Sequence, residues 1–152
     1  MKQEKQRAGF HLLVHSVHLL DDRLRELLAP LGIHAGQARI IHGIHRMGEA
    51  SQRQLADQFN VTPASMSQMT KRLINNGFIK VRPDPSDKRS SLVSLTSEGE
   101  MLLNQIIEVW KKVDDIIIDA IGARNAEQLF SQSLKLRDTL GGKAPGTKDV
   151  PR

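Results

Sequence analysis

Ser65, Ser67, Gln68, Lys71 and Arg72 concentrate hydrogen-bonding and cationic side chains in one short stretch, and Arg82, Asp87, Lys88 and Arg89 follow soon after. If the first stretch is a helix with Met66, Met69 and Leu73 turned inward, a rotation of about 100° per residue turns Ala64, Gln68, Lys71 and Asn75 outward. Ser65, Ser67 and Arg72 then lie on the flanks. A face without apolar bulk can enter the major groove of a duplex, where Gln pairs with adenine, Ser with several base edges, and Lys or Arg with guanine or phosphate.

The second stretch, Arg82-Pro-Asp-Pro-Ser-Asp-Lys-Arg-Ser, gathers Lys80, Arg82, Lys88 and Arg89 around one turn that Pro83 and Pro85 stiffen. Arginine suits the narrow minor groove because negative potential is concentrated there, and Asp87 is placed to orient the Arg89 guanidinium through a charge-assisted hydrogen bond. Taken alone, the first stretch could be a plain solvated face and the second an exposed charged loop. Together they read as two arms of one double-stranded DNA interface.

Histidines offer another chemistry. His11, His15 and His18 recur at helical spacing, as do His42 and His45. Such pairs can hold zinc, but a site needs a third or fourth ligand, and neither a cysteine nor a Glu-x-x-His pattern supplies one. No metal and no cofactor are expected.

Composition narrows the partners further. The chain of 152 residues carries 22 Lys plus Arg against 17 Asp plus Glu, a net charge of +5 that favours a polyanion. With 4 Phe, 1 Trp and no Tyr, a platform for stacking single-stranded bases is not expected. The absence of Cys excludes disulfides and thiolate-based redox sensing. No apolar run approaches the roughly 18 residues of a membrane span, and Met1 to Arg7 is charged with no signal-peptide core after it, so a cytoplasmic protein without a membrane partner is expected. Gly-rich phosphate loops, nucleophile elbows and paired carboxylates are also missing, so no enzyme is expected.

These side chains need elements to position them. Ser51 with Gln54 reads as a capping box opening a helix to Phe59, and Thr62 with Pro63 opens a second one that Gly77 closes. Leu55, Ala56, Phe59, Val61, Met66 and Met69 have the offsets that let two short helices cross, and Asn60 at the turn tolerates a left-handed backbone. This is a helix-turn-helix. Phe78–Arg82 and Leu92–Leu95 read as hairpin strands joined by a polar loop, Pro83–Ser91. Around this centre the three-and-four spacing of apolar residues predicts helices over Gln6–Leu28, His34–Met47, from Thr96 or Ser97 to Gly122, and Asn125–Leu140. Residues 141–152 have the composition of a disordered tail.

The order of parts resembles the MarR family of bacterial regulators, named for multiple antibiotic resistance, to about Gly141. Asp84-Pro-Ser-Asp-Lys-Arg followed by Leu92-Val-Ser-Leu-Thr and Gly99 is similar to the family's wing signature, with Asp87 and Arg89 in its key places. Leu73-Ile-Asn-Asn-Gly-Phe-Ile resembles its exit from the recognition helix. The resemblance implies a mainly α fold with a small β-hairpin wing: an N-terminal dimerisation helix (1–32), a winged helix-turn-helix DNA-binding domain (33–97) and C-terminal dimerisation helices (98–140).

It also implies a homodimer on a palindromic operator, most often a repressor, with the recognition helix 62–76 (Thr62, Ala64, Ser65, Ser67, Gln68, Lys71, Arg72) in the major groove. The wing 79–95 (Arg82, Asp87, Lys88, Arg89) would enter the minor groove. Many members release DNA when an aromatic or anionic effector binds between the lobes, which makes His11, His15, His18, Ala38, His42 and Arg46 pocket candidates. Ala38 stands where the family usually has a bulky residue, so no known effector class is carried over. A nonspecific architectural DNA-binding protein and a winged-helix protein-interaction module are the alternatives; the second predicts an apolar or acidic recognition face.

Overall fold

The computed structural model describes residues 8–144. Helix α1 (Gly9–Leu28) ends in a 3-10 turn (Ala29–Leu31) that Gly32 closes in the left-handed region at φ 71°. Helix α2 (Ala35–Met47) follows, then the short strand β1 (Ala50–Ser51), helix α3 (Gln52–Phe59) and helix α4 (Pro63–Asn75). Strands β2 (Ile79–Asp84) and β3 (Asp87–Leu95) form the hairpin, and helices α5 (Ser97–Ile121) and α6 (Ala123–Thr139) complete the chain.

The helix starts are set by their caps. Ser51 Oγ accepts the Gln54 backbone N–H at 3.1 Å, while Gln54 Oε1 accepts that of Ser51 at 2.8 Å. Thr62 Oγ1 accepts from Ser65 N at 3.2 Å and Thr96 Oγ1 from Gly99 N at 3.1 Å, so donors that would otherwise be orphaned are satisfied at α4 and α5. Asn60 sits at φ 52° and ψ 46°, the left-handed turn expected between α3 and α4.

Some boundaries differ from the sequence reading. Helix α1 begins at Gly9; Gln6 and Arg7 lie outside the described residues. Helix α6 starts at Ala123, because Gly122 both ends α5 and precedes α6 directly. The polar loop expected over Pro83–Ser91 is mostly strand: β2 runs to Asp84, β3 begins at Asp87, and the turn is reduced to Pro85 and Ser86. The sheet order β1-β3-β2 makes β2 an edge strand, where Pro83 can sit without breaking a ladder for want of an N–H. Strand β1 escaped the sequence reading because two residues carry no periodicity. Of the tail expected at 141–152, residues 145–152 lie outside the described residues.

Leu28, Ile40, Ile41, Ile44, Leu55, Met66, Leu73, Val93, Leu102 and Ile106 form one core between α2, the α3–α4 pair, the sheet and the first half of α5. Burying each of the larger aliphatic side chains stabilises the fold by about 1.5–3 kcal/mol, which fixes α4 and the hairpin to one support. Gly99 completes the junction. A Cβ there would stand 2.1 Å from the Phe78 carbonyl oxygen, so only glycine lets α5 dock this closely on the hairpin's entry.

Candidate nucleic-acid interface

Helix α4 buries one side and presents the other. Met66 and Leu73 are fully buried and Met69 is partly covered. Thr70, which the sequence reading did not place, is also buried; its hydroxyl lies 2.9 Å from the Met66 carbonyl and 3.2 Å from Gln52 Oε1, tying α4 to α3. Thr62, Ala64, Ser65, Ser67, Gln68, Lys71 and Arg72 are all exposed, Ala64, Gln68 and Lys71 opposite that seam and Ser65, Ser67 and Arg72 on its flanks. Gln68 and Arg72 also line a cavity of about 130 Å³ with His34, Gln37 and Met69, where the start of α2 meets α4.

The outward face is therefore a ridge of small and hydrogen-bonding side chains held on a rigid helix. Among the described residues the side chains of Gln68, Lys71 and Arg72 make no hydrogen bond or ion pair, so their donors are available to a ligand. Thr62 and Ser65 are engaged with each other, 3.0 Å between their hydroxyls.

On the wing, Lys88 and Arg89 lie at the start of β3, exposed and without a side-chain partner among the described residues. The role expected of Asp87 is corrected: its carboxylate accepts the backbone N–H of Arg89 at 2.9 Å instead of holding the guanidinium. A side chain two residues back reaches a main-chain donor more readily than the end of a long flexible arm, as Asp residues do at turns. Asp84 acts in the same way, accepting from the Ser86 hydroxyl at 2.7 Å and the Ser86 N–H at 2.9 Å, and these bonds hold its carboxyl below the usual range.

Arg82 is placed differently from its neighbours. Its Nε donates to Glu49 Oε2 at 2.8 Å and its Nη2 to Glu49 Oε1, a two-pronged ion pair. The hydrogen bond from Arg82 holds the Glu49 carboxyl below its ordinary range, and the bond to Glu49 raises the guanidinium in turn. Glu49 was missed because it is 33 residues away in sequence, in an unremarkable position after Gly48.

The histidines do not converge. Among the described residues no group of three or more His, Cys, Asp or Glu side chains could hold a metal. His11, His15 and His18 are exposed on α1. His42 lies edge-on to Trp110 with ring centroids 5.2 Å apart, and its pKa is lowered by burial first, then by the positive charges of Arg46 and His45. Ala38 is fully buried in the core, and Arg46 is exposed.

Residues 33–91 match the model of the MarR family. Over 110 residues, 72% of this chain and 80% of the relative, the sequence is 27% identical to an uncharacterised HTH-type transcriptional regulator of Bacillus subtilis, YwoH. It is 33% identical to the multiple antibiotic resistance protein MarR of Escherichia coli over 94 residues, 61% of this chain and 65% of that protein. The fold superposes on the crystal structure of a mutant Escherichia coli MarR complexed with operator DNA with a TM-score of 0.73 and 25% identity, covering 85% of this chain and 94% of that one.

Proposed function

We propose that this chain, a DNA-binding transcriptional regulator and not an enzyme, whose residues 33–91 form a MarR family domain, works as a homodimeric repressor on a palindromic operator. The observation that carries this reading is the exposed face of α4, free of apolar bulk, beside a wing whose Lys88 and Arg89 are unpaired among the described residues. The recognition helix 62–76 enters the major groove with Gln68, Lys71 and Arg72 leading, and the wing 79–95 brings Arg89 to the minor groove. Such a face is neither apolar nor acidic, which argues against a protein-interaction module.

The domains follow from where apolar surface is left over. Phe10, Leu13 and Val17 of α1 and Leu129, Leu134 and Leu136 of α6 are exposed in the single chain, Phe10 at 67%. Faces of this kind are what an intertwined two-fold interface needs, so 1–32 and 98–140 make the dimerisation lobe and 33–97 the DNA-binding domain. An aromatic or anionic effector releases DNA in the same reading. His11, His15, His18, His42 and Arg46 would meet it, with Ala38 behind them. An unchanged effector response in a His15→Ala, His42→Ala variant would remove the histidines from that role.

Binding of the protein to its own upstream intergenic DNA and to scrambled duplex, followed by fluorescence anisotropy across a salt series, tests the function. Preference for the native duplex by about a thousandfold, with a large loss in Arg89→Ala, is expected. Equal, strongly salt-dependent binding to both duplexes would indicate an architectural protein, and no binding to either a protein-interaction module.

A further inference from the structure

The wing is a two-stranded ribbon for most of its length. Strand β1 pairs with β3 only at Ala50–Val93 and Ser51–Leu92, and β2 pairs with β3 from Ile79–Leu95 outward to Asp84–Asp87. Arg82 stands opposite Leu92, in the last row that β1 still supports; beyond it Pro83, opposite Ser91, begins the free ribbon. Isolated pairs of strands are marginal and twist strongly, so the angle at which the ribbon leaves the body is poorly fixed by its own ladder.

At that row the Arg82 side chain crosses to Glu49, which sits between Gly48 at the end of α2 and Ala50 at the start of β1. Two guanidinium nitrogens, Nε and Nη2, are held by the carboxylate, and the fork geometry restricts rotation as well as distance. The carboxylate also cancels the charge of Arg82, whereas Lys88 and Arg89 further out have no such partner among the described residues.

We propose that Glu49 is a positioning residue of the DNA interface: by clamping Arg82 across the base of the wing it sets the wing's pitch against the helix-turn-helix, and Arg82 is a brace instead of a phosphate contact. The proposal rests on the DNA-binding reading above for its consequence, but the brace itself exists in the free protein. It assigns opposite roles to two arginines of one wing, Arg82 holding the ribbon and Arg89 meeting the duplex.

Two measurements on Glu49→Gln, Arg82→Ala, Arg82→Lys and the Glu49→Gln, Arg82→Ala double variant test it. In the free protein, backbone amide hydrogen exchange over residues 79–84 and 87–95 is expected to quicken equally in each single variant and no further in the double, because both substitutions remove one interaction. Operator binding is expected to weaken about fivefold to tenfold in each, lysine failing to restore it, with the slope of log affinity against log salt unchanged. Wild-type exchange rates in Glu49→Gln or Arg82→Ala would overturn the brace. So would a slope reduced by about 0.9 in Arg82→Ala together with normal binding by Arg82→Lys, the mark of a direct phosphate contact, or tighter binding by Glu49→Gln. A wild-type protein without operator preference would sink the regulator reading, and the exchange rates would still decide the brace.

Discussion

Asn60 turns the chain between α3 and α4 with a positive φ that most side chains avoid, and the crossing of the two helices depends on it. Asn60→Ala is expected to lower stability by about 1–2 kcal/mol in urea denaturation, while Asn60→Gly stays near wild type because glycine pays no steric penalty there. His42 gives a pH dependence. Its folded pKa is lowered, mainly by burial, so as pH falls through the ordinary value of 6.5 the unfolded chain takes up the proton first. The contribution of neutral His42 is therefore complete above that value and lost as pH drops toward the lowered folded pKa. Wild type should lose more stability between about pH 8 and about pH 5 than His42→Phe, and equal losses would remove His42 as the cause. Asn60 was legible in the sequence because its signal is local. The Glu49–Arg82 pair was not, since its partners meet only after the sheet has formed, and Asp87 was read as reaching a guanidinium when the nearer N–H was available.

At the scale of elements, what could be read was whatever repeats or punctuates. Ser51, Thr62 and Thr96 cap helices where the sequence placed them, and the apolar spacing located α2, α5 and α6 within a residue or two. The hairpin was underestimated because Pro83, Asp84 and Ser91 look like loop residues, and the edge position of β2 is what lets Pro83 remain in a strand. Gly99 joins two elements that are separately legible. Gly99→Ala would press a methyl group into the Phe78 carbonyl, so a loss of about 1–3 kcal/mol in urea denaturation is expected, with weakened operator binding as the wing shifts from its support. Normal stability in that variant would mean that α5 can move outward without consequence.

For the whole molecule, the distribution of apolar surface is the main fact. The buried core lies around α2, α3, α4, the sheet and the first half of α5, whereas the start of α1 and most of α6 carry exposed leucines, with Leu134 at 53% and Leu136 at 50%. The sequence already showed those helices to be amphipathic, with more apolar side chains on α1 than a small winged domain can cover. In the proposed homodimer these faces are covered, so Leu134→Asp is expected to shift the protein toward monomer in sedimentation velocity and to weaken operator binding with it. No helix among the described residues is long and apolar enough to cross a membrane. Hydroxyl-radical footprinting of the wild-type protein on its own upstream duplex tests the central claim most directly. A symmetric pattern is predicted, with two protected half-sites about one helical turn apart, each flanked by a protected minor groove that is lost in Arg89→Ala. Uniform protection along the duplex, or one half-site bound by a single chain, would contradict it.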